Sequence, residues 1–150
     1  MDLKSLLVDS KTTWAEFPGL DGFEVELANL SRKELVNLRK KCTSNKFNRK
    51  TRAFEESLDD EKFVNEFTEA TVKGWKGLKL SYLEDLILVD LSGQDSNTEM
   101  DFSLENAKVL VENSSEFDNW LNEVVFDLDN FRNTGTKPSP RKAGKDVQES

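Results

Sequence analysis

The chain has 150 residues and a net charge of −8, with ten Phe, three Trp, one Cys and no His. That length holds one ordinary core, and 36% hydrophobic against 33% charged residues is the balance of a lean folded domain. The missing His removes the commonest general base and every Ser-His or Cys-His pair, the lone Cys42 excludes an internal disulfide, and Leu86-Ile87-Leu88-Val89 is too short to cross a bilayer.

Met1-Asp2-Leu3-Lys4-Ser5 lacks the basic start and apolar run of a signal peptide, so a cytosolic setting is expected. A short strand over residues 3–8 is one candidate element. In the next stretch Phe23, Val25 and Leu27 alternate with Glu24 and Glu26, the period of a strand with one wet face. Pro18-Gly19 and Asp21-Gly22 precede it, which predicts a hairpin with residues 14–17 as partner.

Ser31 and Glu34 form a capping box and open a helix carrying Leu35, Leu38 and Cys42 on one face. Residues 43–57 lack clear periodicity and read as a basic loop. Asp59 or Asp60 starts a helix with Phe63, Phe67 and Ala70 in one stripe, ended by Gly74. Gly74-Trp75-Lys76-Gly77 reads as a turn with an aromatic anchor. A second capping box, Ser81 with Glu84, predicts a short helix with Leu83, Leu86 and Ile87 inward. Residues 90–101 read as a polar surface loop. Ser103 caps a helix through Val111, Ser114-Ser115 breaks it, and a long helix follows. Its stripe runs Phe117, Trp120, Leu121, Val124, Leu128, Phe131.

These elements predict a mostly α, α+β fold: a helical domain over residues 1–132 with a small β-hairpin or sheet in about the first 30. Its core is expected on Phe63, Phe67, Trp75, Trp120, Leu121 and Val124. Residues 133–150 hold two of the three prolines and one sizeable aliphatic, Val147, and are expected to be disordered.

Charge is unevenly spread. Residues 32–52 carry nine Lys or Arg against the single acid Glu34, whereas residues 53–131 carry five Lys against twenty acids. The cations Arg39, Lys40, Lys41, Lys46, Arg49, Lys50 and Arg52 are therefore the candidate partner-binding residues. With Phe47 among them they could track a nucleic acid backbone. The acidic remainder would repel a polyanion, so an acidic protein surface, or the chain's own acidic helices, is the better match. Asp90, Ser92 and Asp95 invite a calcium reading, but the sixth and twelfth positions of that loop would be Asp95 and Asp101 where Gly and Glu are required. Gly74-Trp75-Lys76-Gly77 has the wrong glycine spacing for a phosphate loop. No catalytic, metal or cofactor site is expected.

Several segments in order resemble the tail assembly chaperones of long-tailed bacteriophages. They are Trp14-Ala15-Glu16-Phe17-Pro18-Gly19, Gly22-Phe23-Glu24-Val25-Glu26-Leu27, Leu30-Ser31-Arg32-Lys33-Glu34-Leu35, Leu58-Asp59-Asp60-Glu61, Gly74-Trp75-Lys76-Gly77-Leu78, Glu105-Asn106-Ala107 and Phe117-Asp118-Asn119-Trp120. The resemblance covers residues 14–131. It implies a non-enzymatic late protein of the host cytoplasm, outside the mature virion, that binds the tape measure protein and helps recruit tail tube protein subunits. It also implies that a frameshifted, longer product is made by some members. Self-association stays open. A structural tail or tail-completion protein, and a nucleic-acid-binding regulator using residues 32–52, are the alternatives from other classes.

Residues 133–150 offer too little apolar area to offset the entropy of ordering them. Deletion after Arg132 is expected to leave the thermal midpoint within about 3 °C, measured by circular dichroism. A larger drop would mean that this segment packs on the folded body.

Overall fold

A computed structural model describes residues 1–8 and 11–132. The expectation for residues 133–150 falls outside them. Among the described residues, the chain runs β1 (Thr12–Glu16), β2 (Glu24–Ala28), α1 (Arg32–Lys41), β3 (Thr43–Asn48), β4 (Ala53–Leu58), α2 (Asp60–Thr71), β5 (Val72–Lys76), α3 (Leu80–Leu86), α4 (Leu104–Asn113) and α5 (Ser115–Val125), with 3-10 turns at Leu3–Leu6 and Leu128–Asn130. This is a mixed α/β arrangement of helices with two small sheets, richer in strand than the mostly helical fold expected from sequence.

The β1–β2 hairpin forms as its alternation predicts. Val25 and Leu27 are fully buried, while Glu24 and Glu26 lie at the margin. Gly19 and Gly22 take left-handed φ of 87° and 85°, so the chain can reverse between Phe17 and Phe23, whose backbones meet at 2.9 Å. The third strand, however, is not residues 3–8. That stretch does not alternate, and the Asp2 carboxylate accepts the Lys4 N–H and holds a short 3-10 turn. The place beside β2 is taken by β5, antiparallel, with Trp75 opposite Val25.

Gly74 therefore does not end a helix. α2 stops at Thr71, whose hydroxyl donates to the Phe67 carbonyl at 2.7 Å, and the chain continues into a strand with Val72 and Trp75 buried and Lys73 and Lys76 exposed. Gly74 lies 3.9 Å from the Trp14 ring, so the glycine marks a close approach inside the sheet. The turn falls at Gly77, with φ 75°; a Cβ there would lie 2.0 Å from the Gly22 carbonyl oxygen. Two glycine backbones thus pack directly against each other.

The helix starts divide between side-chain and backbone caps. Ser31, Asp59, Ser103 and Ser114 each accept the expected N–H. Ser114 both ends α4 and begins α5. The Ser81–Glu84 capping box does not form, because α3 begins one residue early at Leu80. There Leu80 and Ser81 donate to the carbonyls of Thr98 and Ser96. The stripe expected through Phe131 stops at Val125. Asp127 caps the following turn and the Asn130 amide donates to the Val124 carbonyl, two local bonds that compete with continued helix. Leu128 is consequently 56% exposed, and Phe131 returns to the core from the turn.

The buried cluster centres on aromatics. Phe17 and Phe23 from the hairpin turn stack on Phe117 of α5 at 6.0 and 6.3 Å between ring centroids. Trp120 meets Phe17 edge-on at 5.0 Å, and Trp75 meets Phe23 edge-on at 6.3 Å. The Trp75 indole N–H donates to the Met100 carbonyl at 2.9 Å, so its one polar atom is satisfied. Of the expected core, Phe67, Trp75, Trp120 and Leu121 are buried, whereas Phe63 and Val124 only pack against its edge. Phe63 is half-open because α2 turns it toward a cleft beside α1, and Val125 takes the inward position on α5.

One buried polar atom is orphaned. Thr68 on α2 is fully buried, and its hydroxyl has no hydrogen-bond partner among the described residues. Leaving such a group unpaired costs about 1–3 kcal/mol. Thr68→Val keeps the shape and removes the hydroxyl, so it is expected to stabilise the fold by about 1 kcal/mol. Urea unfolding should show a higher midpoint at unchanged slope.

Candidate functional site

The cations singled out in the sequence do not form one belt. The structure sorts them onto two elements. Arg39, Lys40 and Lys41 occupy the last turn of α1, where the helix dipole favours positive charge. Lys46, Arg49, Lys50 and Arg52 sit on the β3–β4 pair and its tip. This pair replaces the basic loop expected over residues 43–57.

β3 and β4 pair antiparallel from Thr43 opposite Leu58 to Asn48 opposite Ala53, and no third strand joins them. At the tip the Asn48 carboxamide oxygen accepts the N–H of Lys50 at 2.8 Å and of Thr51 at 3.3 Å, and Arg52 takes a φ of 55°. The base is closed by the Asp59 N–H donating to the Cys42 carbonyl at 2.8 Å. In between, most side chains face water. Phe47 and Phe54 lie opposite each other, edge to face at 5.4 Å, and remain 54% and 73% exposed. This is an arm standing off the body between α1 and α2. Its tip carries three cations and its shaft an open aromatic pair.

Within the arm, charge is partly offset. Lys46 stands opposite Glu55, which also accepts the Asn48 amide at 2.9 Å, and Glu56 shares a face with the two Phe. On α1, Lys41 pairs with Glu66 of α2. The Lys41 hydrogen bond pulls the Glu66 carboxyl below the usual carboxylate range, and the same bond lifts the Lys41 ammonium above the usual lysine range. Lys41 is therefore engaged within the chain, and Lys40 is the exposed cation beside it. Arg39 lies over the Phe63 ring, 5.5 Å from its centroid.

That Arg39–Phe63 contact borders a second feature, a cleft of about 290 Å3 where α1, α2, α4 and α5 meet. Its walls are aromatic: Phe63 stacks on Phe67 at 5.9 Å, and Phe67 meets Phe126 at 6.2 Å. Leu35 and Arg39 contribute from the α1 side and Asp118 from α5. Phe126 is 40% exposed at its mouth.

The Asp90–Asp95 stretch is a pair of local turns. The Asp90 carboxyl accepts the Ser92 hydroxyl at 2.6 Å and N–H at 3.0 Å, which holds it below the usual carboxylate range, and Asp95 accepts the Asn97 N–H. Among the described residues no three His, Cys, Asp or Glu side chains converge on a point that could hold a metal ion. Nor is any helix among them long and apolar enough to cross a membrane. Comparison with protein-family models, with curated proteins and with solved structures finds no match.

The Lys41–Glu66 pair sets a pH window with definite signs. Glu66 contributes above its ordinary pKa of about 4.3 and loses that contribution as pH falls through its lowered value; Lys41 contributes below about 10.4 and loses it as pH rises through its raised value. Lys41→Met is expected to return Glu66 to the ordinary glutamate range. A carboxyl 13C NMR titration of both proteins checks this. An unchanged Glu66 midpoint would mean that the pair does not persist in solution.

Proposed function

We propose that this chain is a non-enzymatic binding protein, a tail assembly chaperone of a long-tailed bacteriophage. It holds the tape measure protein in the host cytoplasm, helps recruit tail tube subunits, and stays out of the mature virion. The observation that carries the binding reading is the β3–β4 arm, which exposes Phe47 and Phe54 beside Arg49, Lys50 and Arg52 on an otherwise acidic chain. Exposed aromatics rimmed by one sign of charge make a docking surface for another protein. An isolated two-stranded ribbon gains little from its own pairing, so a partner laid against it also supplies missing apolar contact.

The phage assignment rests on the ordered resemblance of residues 14–131. Several of those segments build the aromatic cluster: Phe17, Phe23, Trp75, Phe117 and Trp120 all fall within them. The arm lies outside them apart from Leu58. This division suits a group of proteins that keeps one scaffold and varies the surface it offers.

A structural tail or tail-completion protein would use the same scaffold, and the composition of purified particles separates it from a chaperone. The nucleic-acid reading is weaker. Glu55 and Glu56 stand on the arm itself, and the edge-to-face Phe47–Phe54 pair occupies the ring faces that bases would stack on.

Co-expression with the tape measure protein of the same phage is expected to keep that protein soluble, and purified virions should lack this chain. Arg49→Glu, Lys50→Glu and Arg52→Glu together should slow association about tenfold at low salt, with little change in dissociation, because exposed charges act mainly on encounter. Stopped-flow measurement at two ionic strengths reads this directly. A tape measure protein that precipitates regardless, with this chain stoichiometric in virions, would replace the chaperone reading by the structural one.

A further inference from the structure

The cleft beside α1 is placed to do more than fill a gap between helices. Its floor is built of Phe63, Phe67 and Phe126, and the outermost ring stays open to water. Its two walls carry opposite charge. On the α1 side, Arg32, Lys33, Arg39 and Lys40 are all exposed, with Val36 exposed among them. On the α5 side, Glu116 and Glu123 are exposed and Asp118 lines the cleft itself. The arm springs from its rim, leaving the end of α1 and returning at the start of α2, which are the turns that supply Arg39 and Phe63.

An apolar slot between a basic and an acidic wall matches one kind of occupant: an amphipathic helix whose apolar stripe is flanked by acids on one side and by lysines on the other. We propose that the cleft binds such a charge-zoned helix of another protein. One large apolar side chain inserts among Phe63, Phe67 and Phe126, the acidic flank lies against α1, and the basic flank lies against α5. The zoning fixes the direction in which the helix lies, because reversing it would set like charges together along both walls. A helix acidic on both flanks would meet Glu116, Asp118 and Glu123, and one basic on both flanks would meet Arg32, Arg39 and Lys40. This inference rests on the reading that the chain is a binding protein, and it names the face and the chemistry of the partner.

The test uses the full chain and three designed 21-residue helical peptides with the same leucine stripe. One has Glu on one flank and Lys on the other, one has Glu on both, and one has Lys on both. Fluorescence anisotropy at low salt is expected to show the zoned peptide binding at least about tenfold tighter than either uniform peptide. Phe126→Glu and Arg39→Glu should each lower its affinity about tenfold or more with circular dichroism unchanged. Should either variant unfold, methyl NMR on the unaltered protein decides. Shifts at Leu35, Val64 and Val111 on adding the zoned peptide support the cleft, and shifts confined to the arm or to Leu3, Leu6 and Leu7 overturn it. Equal binding of all three peptides, binding of none, displacement by a short RNA, or the same methyl shifts on raising protein concentration alone would also overturn it. If the tape measure protein stays soluble on co-expression while the cleft fails these tests, the chaperone reading stands and its contact lies elsewhere.

Discussion

The packing of Phe17 and Phe23 onto Phe117 is the contact on which the rest of the architecture hangs. A three-stranded sheet of five-residue strands has one face to bury, and the helix pair α4–α5 has another; each is unstable alone. The hairpin turn between β1 and β2 places two phenyl rings beyond the end of the sheet, where α5 can meet them. Phe23 and Phe117 are fully buried, and their large apolar area is the main stabilising term that joins sheet to helices. The requirement propagates backward into the sequence. Phe23 reaches that position only because Gly19 and Gly22 allow left-handed turns, and the turn is held to β5 because Gly77 lets its backbone touch Gly22. The Tyr82 hydroxyl adds a second tether by donating to the Asp21 carbonyl at 2.6 Å.

What could be read from the sequence follows from which signals are local. Capping by Ser31, Asp59, Ser103 and Ser114 depends on side chains three residues apart, and each is legible without the fold. The β2 strand declares itself because one face is dry and the other wet. β5 hid behind Gly74 and Gly77, since glycine normally punctuates, and only the Trp14 ring across the sheet explains a glycine inside the strand. The end of α5 was hidden for a different reason. Leu128 and Phe131 continue the helical spacing of Phe117 to Val124, yet Asp127 and Asn130 spend their side chains on backbone groups of a turn. Spacing alone does not register that competition.

The candidate site was half legible. Clustering of cations in residues 32–52 pointed to the right region, and their division between a helix end and an arm did not follow from it. The β3–β4 arm has almost no apolar alternation, because neither of its faces lies on the core; the usual strand signal is a signal of burial and is absent where a strand stands in solvent. Phe54 went unremarked for the same reason. The informative feature was the cross-strand distance, which only pairing of Phe47 with Phe54 reveals.

Charge and apolar surface then divide the labour of recognition. The twenty acids of residues 53–131 keep the body apart from other acidic chains, and the arm is the element that reverses the sign. Exposed charge decides what approaches and how fast, while lasting contact needs desolvated apolar area. The molecule keeps the two close together: cations lie at the arm tip and along α1, and the open rings lie on the arm shaft and in the cleft between them. Lys41 is withdrawn from this task by Glu66, which instead ties α1 to α2 and so holds the walls of the cleft in place. Because Arg39 lies over Phe63, the same side chain belongs to the charged surface and to the apolar one. A partner that displaces water from the cleft would strengthen that cation–π contact as it strengthens its own grip, which makes Arg39 the residue through which steering becomes binding.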